Sequence, residues 1–390
     1  MPTRKPLKRG LSPYYGEFLI SPIPLELSGN HCSHLCDYCF ANLGSPGAIF
    51  DEKATYRLIE KREKRKILQA KLLSKKYPVL ISNRSDPFSM SNYKQFVPLM
   101  RRLTELEIPI SIQTRGGLGI DETLKFLPPS VWYISITHDN EETRKKVEKH
   151  ASSIDDRFHL ILKLKEQGHR VVVGVNPLVP EWIVNPGFFL NQLKVSGVEG
   201  IWIERLHLAA HQQRKNLSKR AIKALGEDVF DRAKKKSITD KERDVFDLFI
   251  GLCETLEIPY YSVGQPYRSD FFKPYREIYP KSWPTTQEFL NHLIDNDIQE
   301  FGFNSWFDFM LPYFPEDESR QHSLYLYTSI GYNRRECHEV IAEMGRPRNY
   351  EELLSAIWSG QKFRPKSRLF LGCAAFEELE KGRVRRVDYE

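Results

Sequence analysis

The chain has 390 residues, of which 41% are hydrophobic and 12% aromatic, so it can bury a substantial core in one large domain or two ordinary ones. No apolar run reaches the ~20 residues that span a bilayer, and no apolar stretch follows the basic N-terminus. We therefore expect a cytoplasmic protein that makes no use of a membrane. The formal net charge of +7 permits binding to nucleic acid without requiring it.

Short runs rich in Val and Ile alternate with amphipathic stretches over the first two thirds of the chain. Strands are predicted at 22–27, 79–82, 108–113, 131–137, 171–175 and 200–204, with a further candidate at 256–264. Helices are predicted at 53–73 after Asp51, at 92–107, and at 154–168 between the cap Ser153 and the stop Gly168. This alternation predicts an α/β fold with a parallel sheet, and it leaves a barrel and an open sheet as alternatives.

Composition divides the chain into three parts. Residues 1–20 form a basic N-terminal arm, and residues 21–265 contain the strand–helix alternation. Residues 266–390 are rich in aromatic residues and proline, and they predict a C-terminal region of helices and loops. Its aromatic side chains could stack on nucleic acid bases, but the core of a small domain is the favoured interpretation.

Three of the six cysteines are clustered in NHCSHLCDYCFANL, at Cys32, Cys36 and Cys39, in the loop after the first predicted strand. Thiolates at such short spacing suit a soft metal or an iron–sulfur centre. One alternative is a structural zinc site with His31 or His34 as the fourth ligand, and another is a disulfide with one thiol left over. The third is a [4Fe–4S] cluster held by three cysteines, which leaves one iron open. The remaining cysteines, at 253, 337 and 373, are isolated, and we interpret each as a small buried residue.

The C-x3-C-x2-C spacing, with Tyr38 just before the last cysteine, resembles the signature of radical S-adenosylmethionine (SAM) enzymes. The resemblance implies a [4Fe–4S] cluster on Cys32, Cys36 and Cys39, with SAM chelating the fourth iron. It also implies a partial (β/α)6 TIM-like barrel, here followed by a mainly helical C-terminal region. An electron donor of the flavodoxin or ferredoxin type is implied as a partner.

Other segments look most like the spore photoproduct lyase branch of that superfamily. They are the turn Ser85-Asp86-Pro87, the helix start from Ala151 to Arg157, and the turn Pro177-Leu178-Val179-Pro180. Ser152 departs from the pattern, which has a proline at that place.

The resemblance implies roles for side chains at the strand ends. The residues expected to bind SAM are Tyr38, Ser85, Asp86, Arg115, Ser135, Thr137 and Asn176. Ser85 and Asp86 are expected near the ammonium group, and Arg115 is expected on the carboxylate, which a guanidinium can engage bidentately. Arg157 and Glu204 are further candidates.

The lyase branch uses an extra cysteine after its second strand to return a hydrogen atom, and Asn83 stands at that place here. No cysteine occurs between Cys39 and Cys253, so we do not predict the lyase's repair reaction, and the catalytic residues and hydrogen donor stay unassigned. The predicted activity is hydrogen-atom abstraction from a substrate, with nucleic acid or a nucleotide first and a peptide or protein second. A zinc-stabilised nucleic-acid-binding protein without catalysis is the non-enzyme alternative.

Overall fold

The computed structural model describes residues 8–13, 22–39, 41, 48–206, 208, 219–235, 238–262, 269–282, 285–310, 312, 376–379 and 383–387. The strands are β1 (Lys8–Arg9), β2 (Leu11–Pro13), β3 (Leu25–Leu27), β4 (Ile49–Phe50), β5 (Val79–Ile81), β6 (Ile110–Thr114), β7 (Val131–Ser135), β8 (Arg170–Leu178), β9 (Ile201–Arg205), β10 (Tyr260–Ser262), β11 (Glu300–Phe301), β12 (Phe376–Glu378) and β13 (Val384–Arg386). The helices are α1 (Glu52–Glu60), α2 (Leu68–Ser74), α3 (Tyr93–Glu105), α4 (Ile120–Leu124), α5 (Glu141–Val147), α6 (Ile154–Glu166), α7 (Pro186–Val195), α8 (Lys219–Leu225), α9 (Glu227–Ala233), α10 (Asp240–Thr255), α11 (Lys273–Ile278), α12 (Thr286–Asp295) and α13 (Phe303–Met310).

A largely parallel sheet carries the fold, with strand order β10-β9-β8-β7-β6-β5-β3-β2. All neighbouring pairs from β5 through β10 are parallel. Because consecutive strands are also neighbours in space, right-handed crossovers place the connecting helices on one face of the sheet. This is the winding of a partial barrel, so the predicted α/β fold is confirmed, and β10 extends the sheet beyond the strand at 201–205.

The two faces of the sheet differ in chemistry because side chains alternate along each strand. On one face, Ile112, Ile134 and Val173 have no exposed surface, as expected for the side that helices cover. The other face carries polar and aromatic side chains, and strand register puts Ser135, Gly174, Trp202 and Tyr261 in one row across it. We call this the inner face.

The helices α6 and α1 begin at the capping residues that the sequence predicts. Ser153 caps α6 through a capping box with Asp156, and the carboxylate of Asp51 accepts a hydrogen bond from the amide of Ala54 at the start of α1 (3.1 Å). The prediction of one helix over 53–73 is wrong, since a short 3-10 turn at Arg62–Lys64 separates α1 from α2. The run KREKRK places like charges three and four residues apart and offers no apolar face, which disfavours a continuous helix.

The chain divides into two compact units. Residues 1–11, 26–57 and 79–262 form the first, and residues 12–25, 58–78 and 263–390 form the second. In the second unit Phe289 is fully buried and packs against Phe301 and Phe309, with ring centroids 5.0 and 4.9 Å apart. The same unit contains an antiparallel sheet with the order β11-β13-β12. In the described part of the chain, no helix has the length and apolar character needed to cross a membrane.

Candidate functional site

The cysteine loop leaves β3 and runs across the ends of the neighbouring strands. Cys32 and Cys36 are 6% and 5% exposed, Cys39 is partly exposed, and all three are free thiols. The amide of Cys39 donates to the carbonyl of Cys36 (3.1 Å), which closes a turn between these two cysteines. The disulfide alternative therefore has no support in this structure.

Two asparagines hold the start of the loop in place. The amide of Asn30 donates to Oδ1 of Asn92 (2.8 Å), and Nδ2 of Asn30 donates to the carbonyl of Ser91 (3.0 Å). Asn92 also donates to the carbonyl of Asp86 (2.9 Å), so the turn after β5 is tied to the cysteine loop. Sequence reasoning missed both residues, because an asparagine beside a loop is an ordinary turn signal.

The protein environment of Cys32 and Cys36 favours the neutral thiol form of both side chains. Burial and the nearby carboxylate of Asp86 raise the pKa of Cys32 to about 11, although backbone hydrogen bonds from His34 and Asp86 act in the opposite direction. Burial raises the pKa of Cys36 well above its usual value, and the guanidinium of Arg115 offsets only part of this effect. Deprotonated thiols in this loop therefore need positive charge, which a metal centre would supply.

The cysteine loop can be compared with the ligand requirements of a single metal ion and of an iron–sulfur cluster. Among the described residues, no group of three or more Cys, His, Asp or Glu side chains could hold one metal ion. A structural zinc site requires four ligands around one ion at about 2.0–2.3 Å, whereas each cysteine of a [4Fe–4S] cluster binds a different iron. Three separate free thiols on one loop, two of them buried, are compatible with the second requirement.

Glu148, between α5 and α6, is the centre of a buried charge network beside this loop. Its side chain has no exposed surface. It accepts hydrogen bonds from Nε of Arg115 (3.1 Å), Nη2 of Arg157 (2.5 Å) and the hydroxyl of Tyr38. Burial alone would raise the pKa of Glu148, but Arg157, His138 and Arg115 lower it well below its usual value. Glu148 is therefore ionised at neutral pH and fixes two guanidinium groups.

Tyr38 and Arg115 contact each other as well as Glu148. Nη2 of Arg115 donates to the hydroxyl of Tyr38 (3.2 Å), and the guanidinium carbon lies 5.6 Å from the centroid of the Tyr38 ring. The other side of the network packs on Trp182, whose ring centroid is 5.4 Å from that of Tyr38. The structure thus brings together two of the predicted SAM-binding residues next to the cysteines.

Arg157, on α6, and His138, three residues after the end of β7, complete the network. Nη1 of Arg157 donates to the carbonyl of Ser135 (2.8 Å), and its side chain is fully buried. Nε2 of His138 lies 3.5 Å from Glu148, and Nδ1 lies 2.8 Å from Oγ1 of Thr137. Burial lowers the pKa of His138 to about 4, so its ring is neutral at pH 7. Thr137 and Ser135 are therefore held at the edge of the same network.

Asp86 joins the turns that follow β5 and β6. Its buried carboxylate accepts hydrogen bonds from Oγ1 of Thr114 (2.9 Å), the amide of Arg115 (2.7 Å) and the amide of Phe88 (3.0 Å). Nε2 of His34 lies 3.4 Å from the same carboxylate. These contacts fix the backbone that carries Arg115. The role of Asp86 as an acceptor for the SAM ammonium stays a prediction.

Ser85 and Asn176 lie outside the Glu148 network. Oγ of Ser85 accepts from the amide of Gly29 (2.7 Å), where β3 leads into the cysteine loop. Asn176, on β8, donates from Nδ2 to Glu204 on β9 (2.9 Å), and Nε1 of Trp202 donates to the same carboxylate oxygen (3.3 Å). Asn176 and Glu204 thus form a separate polar pair on the inner face.

The cysteine loop also binds the segment that carries Glu148. The amide of Asp37 donates to the carbonyl of Val147 (2.9 Å), and Lys149 pairs with the carboxylate of Asp37 (2.9 Å). Nδ1 of His34 donates to the carbonyl of His150 (2.9 Å). Hydrogen bonds and an ion pair therefore fix the cysteine loop against residues 147–150.

The other cysteines give no second cluster in the described residues. Cys253 is fully buried in α10, and burial raises its pKa to about 12, as for a small core residue. Cys337 and Cys373 lie outside the described residues. Asn83, at the place of the lyase's extra cysteine, lies partly buried in the turn after β5.

Comparison with known proteins gives a family for the N-terminal half of the chain. The model of the Radical SAM superfamily matches residues 27–183, the part that contains the cysteine loop and the Glu148 network. No curated protein matches the chain significantly.

Several solved structures share features with it at low identity. SuiB of Streptococcus suis bound to S-adenosylmethionine has 15% identity and a TM-score of 0.43, with 66% of this chain and 54% of SuiB covered. SuiB bound to precursor peptide SuiA has 16% identity and a TM-score of 0.43, over 66% of this chain and 52% of SuiB. Spore photoproduct lyase complexed with dinucleoside spore photoproduct has 15% identity and a TM-score of 0.40, over 60% of this chain and 74% of the lyase. The chain therefore spans about half the length of SuiB. By the match to the family model, residues 27–183 of this chain are similar to the radical SAM superfamily.

Proposed function

We propose that this protein is a radical SAM enzyme whose Cys32, Cys36 and Cys39 hold a [4Fe–4S] cluster with one iron open to SAM. The single observation that carries the proposal is the loop of three free, separate thiols within the part of the chain that matches the superfamily. When bound and reduced, the cluster supplies the electron that cleaves SAM to methionine and a 5′-deoxyadenosyl radical, which abstracts a hydrogen atom from the substrate.

The protein's own residues then have to bind and orient SAM. Arg115 is proposed to bind its carboxylate, because a planar guanidinium offers paired donors and Glu148 holds it in one orientation. Tyr38, Ser135 and Thr137 are proposed to contact the nucleoside part. Ser85, Asp86 and Asn176 complete the proposed set, at the ends of β5 and β8.

Exclusion of water is a second task of this site. Cys36, Tyr38, Val179 and Trp182 belong to one buried apolar cluster. A radical intermediate requires a dry pocket that prevents side reactions, and a low local dielectric strengthens the ion pairs that orient the ligand. The apolar cluster supports this part of the proposal.

The substrate is proposed to be nucleic acid or a nucleotide-derived group, and the support is the net charge of +7. A peptide or protein substrate is the second candidate. The electron donor is proposed to be of the flavodoxin or ferredoxin type. Binding of duplex DNA and of RNA at low and moderate salt tests the first substrate class, since a steep loss with salt reports phosphate contacts.

Formation of 5′-deoxyadenosine tests the enzymatic proposal. The protein is reconstituted without oxygen, reduced with dithionite and incubated with SAM, and the products are separated by chromatography. We expect 5′-deoxyadenosine from the wild type and from Cys253→Ala, and none from Cys36→Ala. Iron-loaded wild type that leaves SAM intact would contradict the proposal.

A further inference from the structure

A short N-terminal segment is built into the first unit beside the cysteine loop. β1 pairs in parallel with β4, and the amide of Asp51 donates to the carbonyl of Arg9 (2.7 Å). On the other side, the amide of Ser28 donates to the carbonyl of Gly10 (3.2 Å). A side chain at Gly10 would meet Oγ1 of Thr55 at 2.6 Å, so the strand lies tightly against α1. Residues 8–10 of the basic run are therefore held in place from both sides.

This placement puts the side chain of Arg9 against the end of the cysteine loop. Nη2 of Arg9 donates to the carbonyl of Ala41 (3.2 Å), two residues after Cys39, and Nη1 donates to the carbonyl of Arg84 (3.4 Å). The guanidinium also interacts favourably with the charged forms of Cys39 and Cys32. Arg9 thus joins the loop to the turn after β5 and places a positive charge near two of the three thiols.

Glu26 and Arg84 lie in the same charged group. Glu26, in the middle of β3, is fully buried and accepts a hydrogen bond from Oγ of Ser28. Nε of Arg84 lies 3.7 Å from the same carboxylate oxygen, Oε1. In the described residues, Oε2 of Glu26 and Nε of Arg9 have no hydrogen-bond partner. A buried carboxylate and two guanidiniums therefore lie together, with polar atoms unsatisfied.

We propose that Arg9 is a positioning and charge-balancing residue of the cysteine site that raises the reduction potential of the iron–sulfur cluster, and that Glu26, which lies in the same charged group through Arg84, opposes this effect. The inference rests on the proposed function, because it concerns the cluster assigned there. One-electron reduction adds negative charge to the cluster. A nearby guanidinium stabilises the reduced form and raises the potential, and a nearby carboxylate lowers it.

The test is a redox titration of the reconstituted full chain, followed by electron paramagnetic resonance (EPR), with iron content measured for each variant. We expect Arg9→Met to shift the midpoint potential to lower values and Glu26→Gln to shift it to higher values. Arg9→Lys keeps the charge but not the fork of donors, so its shift is expected to be smaller than that of Arg9→Met. Lys8→Met is the matched control, because Lys8 precedes Arg9 in the chain but its own side chain is 80% exposed and pairs with Asp51.

Each result decides the inference. Unchanged potential in iron-loaded Arg9→Met would overturn it, as would equal shifts in Arg9→Met and Lys8→Met. If Arg9→Met binds no iron, Glu26→Gln decides, and an unchanged potential in that variant would overturn the inference. Wild type that binds no cluster would defeat the proposed function, and this inference with it, before any variant is compared. A normal wild-type cluster with insensitive variants would defeat the inference alone.

Discussion

Glu148 accepts a hydrogen bond from Nε of Arg115 at 3.1 Å, and its side chain has no exposed surface. A charge buried in this way is tolerated only when it is paired, and removing one partner costs about 3 to 5 kcal/mol. The Glu148–Arg115 ion pair therefore stabilises the fold and also holds the guanidinium of Arg115 in one orientation.

Replacing Glu148 with Gln should weaken SAM binding by about 10- to 100-fold, the usual effect of losing a residue that orients a ligand-binding group. The variant should also lose about 3 kcal/mol of unfolding free energy, because Arg157 and Arg115 keep their charges without a counter-ion. Anaerobic equilibrium dialysis with labelled SAM and urea unfolding measure the two effects. Glu142→Gln is the control, because it lies on α5 with its side chain 81% exposed. Equal SAM affinity in Glu148→Gln and wild type would refute the positioning role.

Arg115→Lys keeps the positive charge but removes the planar fork. A lost charge-assisted hydrogen bond costs about 1.5 to 3 kcal/mol, which is roughly 10- to 100-fold in the dissociation constant of SAM. Because Glu148 acts through Arg115, the double variant should lose less affinity than the sum of the two single losses. Arg102→Lys, on the exposed side of α3, is expected to bind SAM normally. Additive losses would show that the two residues act independently.

Alanine at Cys32, Cys36 or Cys39 should abolish most of the iron content after anaerobic reconstitution, because each thiol is proposed to hold a different iron. Cys253→Ala should retain full iron, with a loss of about 1 kcal/mol in stability from its buried position. Iron and sulfide assays together with urea unfolding distinguish the variants of the three clustered cysteines from Cys253→Ala. Loss of iron in Cys253→Ala alone would place the cluster elsewhere in the chain.

The stability of the protein should fall between pH 6.5 and about 4 because of His169. Nδ1 of His169 accepts a hydrogen bond from the amide of Ser130 (3.1 Å), and burial lowers its pKa to about 4. The unfolded chain takes up a proton near pH 6.5, before the folded chain does. The contribution of neutral His169 to the free energy of unfolding is therefore complete above pH 6.5. It is lost as the pH falls toward 4, at up to about 1.4 kcal/mol per pH unit.

Urea unfolding at several pH values checks this expectation. His169→Asn retains an acceptor for Ser130 and should show a shallower fall of unfolding free energy with decreasing pH. His159→Asn, at an exposed position of α6, should show the wild-type slope. Identical slopes in all three proteins would show that His169 is protonated equally in the folded and unfolded chains.

Local sequence patterns were sufficient for the sheet and for the cysteine loop. Val- and Ile-rich runs predicted the parallel strands, and the closely spaced thiols marked the loop after β3. Glu148 could not be recognised in this way, since Glu-Lys-His looks like an exposed polar stretch. Its partners Arg115 and Tyr38 are 33 and 110 residues away, and only the order of the strands brings them together. Arg9 was similarly hidden in a basic run.

The central claim is a cluster with one iron open to SAM, and EPR of the reduced protein tests it most directly. Anaerobically reconstituted wild type should contain four irons per chain, as a [4Fe–4S] cluster requires. Its spectrum should change when SAM is added and should stay the same when methionine is added. A protein that contains one zinc and no iron, or an iron–sulfur signal that SAM leaves unchanged, would contradict the account.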